Sequence, residues 1–120
     1  MSLPAEPNVI VDERPWGKFE RYCLNEPVTV KIITVEPGHQ LSLQLHRHRD
    51  ELWVTLDDGL IVEIDDQTSH AKAGDRFFVR RGQKHRVASP QDRTVRFLEV
   101  AFGDFAETDI ERLADDYGRV

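Results

Sequence analysis

Turn signals recur along this chain at strand-length intervals, and that spacing leaves room for little except a sheet protein. They fall at Pro15-Trp16-Gly17, Asn25-Glu26-Pro27, Pro37-Gly38, Asp57-Asp58-Gly59, Asp65-Asp66, Gly74-Asp75, Gly82-Gln83 and Ser89-Pro90. Between them lie short runs rich in β-branched and aromatic residues, clearest at Val28 to Val35, Leu60 to Ile64, Arg76 to Arg80 and Val95 to Phe102. Many short strands at this spacing predict an all-β antiparallel sandwich or barrel. No repeat, low-complexity tract or linker interrupts the pattern, so the 120 residues read as one domain over 13–120, after a lead-in at 1–12. The tail changes period. Thr108 and Glu111 stand at capping-box spacing, and Ile110, Leu113, Ala114 and Tyr117 share one helical face. A short C-terminal helix is therefore expected. Its apolar stripe would pack on the barrel, with Asp109, Glu111, Asp115 and Asp116 toward solvent.

The net charge of -6 argues against a nucleic-acid partner, because phosphate-backbone binding needs a basic field. Cys23 is the single cysteine, so an intrachain disulfide or a thiolate metal site is excluded. No apolar run approaches a membrane span and no signal-type segment opens the chain, which predicts a cytoplasmic protein. Within this acidic chain, Arg47, Arg49, Arg80, Arg81, Lys84 and Arg86 cluster in sequence. Such a cluster is either a set of solvated loop charges or a patch for a small anionic substrate.

Two constellations sit among these basic residues. The first is Gly38-x5-Gln44-x-His46-x4-Glu51-x7-Gly59, and the second is Gly74-x5-Arg80-x-Gly82-x2-His85-x3-Ser89. If their strands face one another, an amide oxygen, two imidazoles and a carboxylate can converge on one divalent ion. Mixed nitrogen and oxygen ligation suits zinc first, with manganese, iron, cobalt or nickel as alternatives. On a regular strand Gln44, His46 and His48 share a face and Glu51 has the opposite parity. Glu51 can join them only if the chain bulges or bends between Arg47 and Asp50. Two ligand sets compete: Gln44, His46, Glu51 and His85, or His46, His48, Glu51 and His85. The spacing favours the first. His48 would then lie at the pocket rim, where it can exchange protons with a substrate. Trp53 either stacks on a substrate or fills the interior, and the second reading leads for a large aromatic on a strand. Phe77, Phe78, Phe97 and Phe102 are read as core by the same argument. His39 and His70 have no such context and are expected at the surface.

These motifs resemble those of a cupin, a jelly-roll β-barrel, with Gln44 where that pattern has its first histidine, Arg80 where it has proline and Ser89 where it has asparagine. A closer resemblance runs from Glu13 to Arg119. Glu13-Arg14-Pro15-Trp16-Gly17, Leu41-Ser42-Leu43-Gln44-Leu45-His46, Arg49-Asp50-Glu51-Leu52-Trp53, Asp109-Ile110-Glu111-Arg112 and Asp115-Asp116-Tyr117-Gly118-Arg119 are similar to the C-terminal isomerase domain of type II phosphomannose isomerases. In that family the domain usually follows a mannose-1-phosphate guanylyltransferase domain. Leu52 stands where the family pattern has histidine. No Gly-rich phosphate loop is present in this chain, so nucleotidyl transfer is not expected of it.

The resemblance implies interconversion of mannose 6-phosphate and fructose 6-phosphate. That chemistry needs a cation for the developing oxyanion, a base for the carbon-bound proton and an anchor for the phosphate. Glu99 lies on an apolar strand face with Val95, Phe97 and Ala101, and Lys31 lies between Val30 and Ile32. Each is a candidate base, and the two together are equally an internal ion pair. Arg49, Arg80 or Arg86 would suit the phosphate. Arg14 and Arg119 enter through the resemblance alone. Two rivals remain: a non-catalytic sugar-binding cupin that partners a guanylyltransferase, and a small metal-dependent cupin dioxygenase. Exposed sheet edges make a homodimer the expected assembly.

Overall fold

The computed structural model describes residues 7–119, so the first six residues of the expected lead-in lie outside the described residues. Eleven strands and no helix are found among those described. A hairpin of β1 (Ile10–Arg14) and β2 (Gly17–Arg21) forms a small sheet of its own. The remaining strands are β3 (Val28–Val35), β4 (Leu43–Leu45), β5 (Arg49–Thr55), β6 (Ile61–Ile64), β7 (Gln67–His70), β8 (Arg76–Val79), β9 (His85–Ala88), β10 (Val95–Gly103) and β11 (Glu111–Ala114). Runs that the sequence marked as strands coincide with β3, β6, β8 and β10 to within a residue or so at each end.

Two antiparallel sheets result, ordered β3-β10-β5-β8 and β11-β4-β9-β6-β7. From β3 onward the chain passes back and forth between them, which is jelly-roll topology. The edge strands of one sheet are not hydrogen-bonded to those of the other, so the two layers form a sandwich and the expected closed barrel is not made. The inward faces carry a gradient along the strands. Val35, Val95, Phe97, Trp53 and Val87 fill one end with hydrocarbon. Two to four residues further along the same faces stand Lys31, Glu99, Glu51 and His85. Because inward positions recur every second residue, one end of each strand packs the core and the other lines a polar interior. Phe97 is buried and Phe77 packs partly buried against the core, whereas Phe78 and Phe102 are half-buried on the opposite face of their sheet.

The expected C-terminal helix is absent. The segment forms β11, which pairs with β4 through Glu111 opposite Leu45 and Arg112 opposite Gln44, with an irregularity before Ala114. A helix of so few residues is marginal by itself. The open edge of β4 offers backbone partners instead, and that tertiary pairing outweighs the local propensity. The apolar stripe read from the sequence is not buried as a stripe. Leu113 and Tyr117 are exposed, while Ile110 turns into the interior.

Candidate metal centre

The histidines and glutamate arrive from two motifs that the backbone ties together. The chain leaves β4 at Leu45, bends at Arg47 and His48, and joins the other sheet at Arg49. This change of sheet resolves the parity conflict, because Glu51 approaches from the wall opposite Gln44. Gly82, at φ +84, makes the turn before β9, and its N–H donates to the His46 carbonyl at 2.7 Å. A side chain would be strained at that φ. Gly103 closes the other side of the bend: a Cβ there would stand 2.7 Å from the His48 carbonyl oxygen. The two motifs are thus held in register by backbone contacts.

His46, Glu51 and His85 are 4%, 1% and 2% exposed, and their ligand atoms all lie within 4.8 Å of one another. Each imidazole has the same tautomeric arrangement. His46 Nδ1 donates to the Asp109 carbonyl at 2.6 Å, and His85 Nδ1 donates to the Gln83 carbonyl at 3.0 Å. Both Nε2 lone pairs therefore face inward, as metal-binding histidines require. His85 Nε2 is buried and meets no hydrogen-bond partner among the described residues. Burial lowers the His85 imidazole to about 4, so it is neutral at ordinary pH. An orphaned nitrogen lone pair, a second imidazole and a carboxylate fit a divalent cation. Gln44 lines the same cavity beside them, directly opposite His85 in the β4–β9 pairing, and its Oε1 accepts a bond from Ser42 at 2.9 Å.

Arg49 holds the ligand set together. Its Nε donates to Glu51 Oε2 at 2.8 Å, its Nη2 lies 3.2 Å from His46 Nε2, and its Nη1 donates to the Ala106 carbonyl. Trp53 is core, as expected of it, and it also has a polar role. Its indole N–H donates to Glu51 Oε1 at 3.0 Å. Burial alone would raise the Glu51 carboxyl; a hydrogen bond from Glu99, the two imidazoles and Arg49 overcome this and hold it below the usual range. Glu99, 5% exposed, shows the opposite shift. Burial and the negative Glu51 push it up to about 8. The shared proton accordingly resides on Glu99. Glu99 Oε2 has no hydrogen-bond partner among the described residues, and Lys31 Nζ stands 4.0 Å away while bonding Glu107 at 3.0 Å.

Lys31, Gln44, His46, Arg49, Glu51, Trp53, His85, Glu99 and Glu107 line one cavity of about 160 Å³. A larger groove, about 610 Å³, runs between β6–β7 and β8, but no histidine lines it and no ligand atoms converge there. Of the residues singled out in the sequence, the structure gathers Gln44, His46, Arg49, Glu51, Trp53, His85, Arg86, Lys31 and Glu99 around the cavity. His48 is exposed and outside the lining. Arg80 is also outside it, over the ring of Phe78. Leu52, on the opposite face of β5 from Glu51, is 3% exposed and pairs with Phe78 and Val100. Its difference from the family pattern therefore leaves the cavity wall unchanged.

Sequence reading missed Asp109. Its carboxylate accepts the backbone N–H groups of Arg47 at 3.0 Å and His48 at 2.9 Å, and its carbonyl orients His46. The solvent-facing role assigned with the helix is replaced by a cap on the bend. Asp109→Ala is expected to destabilise the fold by about 0.5–1.5 kcal/mol, since the exposed Arg47 and His48 N–H groups lose the carboxylate but can turn to water. It should also weaken metal binding, because the backbone carbonyl that orients His46 remains but the bend that places it loses its cap. A cobalt(II) titration checks the second effect, and an affinity unchanged in the variant would show that the bend orients His46 unaided.

A two-layer jelly roll with two histidines and a glutamate converging inside it has the fold of a cupin. A solved cupin protein from Bacteroides fragilis superposes with a TM-score of 0.59 over 68% of this chain and 74% of that one, at 17% identity. The chain belongs to the family described as Mannose-6-phosphate isomerase C-terminal, whose family model matches residues 8–115. Among its relatives are the alginate biosynthesis protein AlgA of Pseudomonas aeruginosa, 38% identical over 107 residues, and a mannose-1-phosphate guanylyltransferase of Escherichia coli, 36% identical over 108. Those matches cover 88% and 89% of this chain, and only 22% and 23% of the relatives' lengths. No helix among the described residues is long and apolar enough to cross a membrane.

Proposed function

We propose that this domain binds one divalent cation on His46, Glu51 and His85, with Gln44 adjacent, and isomerises a hexose 6-phosphate between its aldose and ketose forms. Mannose 6-phosphate and fructose 6-phosphate are the substrate pair that the family suggests. The observation that carries the reading is that two buried groups without hydrogen-bond partners among the described residues belong to the lining of one cavity: the His85 Nε2 lone pair and the Glu99 Oε2 atom. When bound, the cation stabilises negative charge on the sugar oxygens as a carbon-bound proton leaves.

The protein's own groups supply the remainder. Glu99, ionised as the pH rises through about 8, takes the proton from C2 of the open-chain aldose, and the C2–H electron pair becomes the C1–C2 double bond while the C1 oxygen takes the charge. Return of that proton to C1, with movement of the O2 hydrogen to O1, completes the ketose. Lys31 stands beside Glu99 and favours its ionised form. Trp53 orients Glu51 through the indole N–H, and Phe97 packs against the Trp53 ring at 5.3 Å, adding apolar surface to the cavity lining. The dioxygenase alternative wants a third imidazole, and His48 lies outside the lining.

Elemental analysis of the purified protein, followed by a coupled assay with mannose 6-phosphate and the metal restored, tests the reading. Metal-dependent turnover is expected. Absence of turnover with zinc, manganese, iron, cobalt and nickel alike would overturn it and leave a sugar-binding domain.

A further inference from the structure

The cavity is electrically polarised, and its cations differ in how they are engaged. Arg49 is bound to Glu51 and Lys31 to Glu107, so both are neutralised by carboxylates. Arg86 is bonded only to carbonyls, Nε to Leu41 at 2.9 Å and Nη2 to Ala114 at 3.3 Å, which fastens β9 to the end of β11. Arg112 has no side-chain partner of either kind among the described residues, and its Nε is buried without an acceptor. A buried guanidinium N–H left unsatisfied is unfavourable and is normally completed by an anion or a carbonyl.

Register fixes where this group lies. Arg112 is directly opposite Gln44 on β4, and Gln44 is directly opposite His85 on β9. Directly opposed residues share a face, so Arg112, Gln44 and His85 form a row across three neighbouring strands. At about 4.8 Å per strand, Arg112 is set roughly 10 Å from the metal-side histidine. Glu99 and Glu107 lie toward the other wall, with Lys31.

We infer that Arg112 is the anchor for a phosphate monoester, holding the phosphate at the β11 side of the cavity while the reacting carbons reach His85 and Glu99. The guanidinium fork suits two oxygens of one phosphate, and Arg86 adds positive potential without competing for the same geometry. The inference rests on the proposed site for the identity of the sugar, but it requires only that the cavity take a phosphate monoester.

The test is calorimetric titration of the zinc-loaded protein with mannose 6-phosphate, mannose and inorganic phosphate, in wild type, Arg112→Gln and Arg112→Lys. Wild type should bind mannose 6-phosphate and inorganic phosphate, and bind mannose far more weakly. Arg112→Gln should lose about 10- to 100-fold for both phosphates, the range of a lost charge-assisted hydrogen bond, with mannose unchanged. Arg112→Lys should fall between, since it keeps charge without the fork. A cobalt(II) titration unchanged in Arg112→Gln shows that the metal site and fold persist. Wild-type affinity for mannose 6-phosphate in Arg112→Gln overturns the inference, as does failure of wild type to bind either phosphate. If wild type binds through Arg112 yet shows no turnover, the isomerase reading falls and the anchor stands. If wild type turns over and Arg112→Gln keeps its KM, the anchor falls and the isomerase stands.

Discussion

Replacing His85 with alanine is expected to strip the domain of its metal, lowering affinity well beyond the roughly 10- to 100-fold typical of losing a mere supporting residue. Its Nε2 is buried and meets no hydrogen-bond partner among the described residues, which leaves its lone pair free for the proposed ligation. The backbone should hold, because β9 is paired on both sides, to β4 and to β6. Metal content after dialysis, with circular dichroism on the same sample, gives the result. A second readout is thermal: zinc should raise the wild-type melting temperature and leave that of His85→Ala unmoved, since a ligand stabilises only a fold that binds it. His48→Ala serves as the control and should keep its metal, because His48 lies outside the cavity lining. Full metal content in His85→Ala would remove the triad. Loss of metal in His48→Ala as complete as in His46→Ala would establish the ligand set that includes His48.

Glu99→Gln is the second large effect. Glutamine keeps the volume and reach of the side chain and removes its basicity, so kcat should fall ~10²-fold or more with little change in KM. Metal and mannose 6-phosphate binding should persist, because Glu99 is not one of the converging ligand atoms. The internal ion-pair alternative predicts something else. Lys31 makes its closer contact with exposed Glu107, so Lys31→Met should be mild if Glu99 is the base. An active Glu99→Gln beside an inactive Lys31→Met would place the proton transfer on β3 instead. These outcomes separate chemistry from folding, since cobalt(II) binding reports the intact site in every variant.

Much of the fold was legible before any coordinates, and for a physical reason. Strand runs bounded by Gly, Pro, Asn and Asp are local signals, and β3, β6, β8 and β10 fall where those signals put them. Period-2 alternation likewise showed Glu99 sharing a face with Val95 and Phe97. The spacing of Gln44, His46, Glu51 and His85 named the groups that now line one cavity, because the residues between them are what a bend and a Gly turn require.

Tertiary structure decided the rest. Residues 108–117 carry a helical pattern, yet their fate depended on the open edge of β4, which no window of the tail can reveal. Whether the strands close into a barrel or stop as two sheets depends on edge pairing among β3, β8, β7 and β11, all distant in sequence. Asp109 and Arg112 gained their places in the same way. Each acts on groups more than sixty residues away, Asp109 by capping the bend at Arg47 and His48, and Arg112 by lying in one row with Gln44. The sequence by itself determined which residues alternate inward along each strand; only the packing of the sheets determined which of those inward groups would meet and which would be left without a partner.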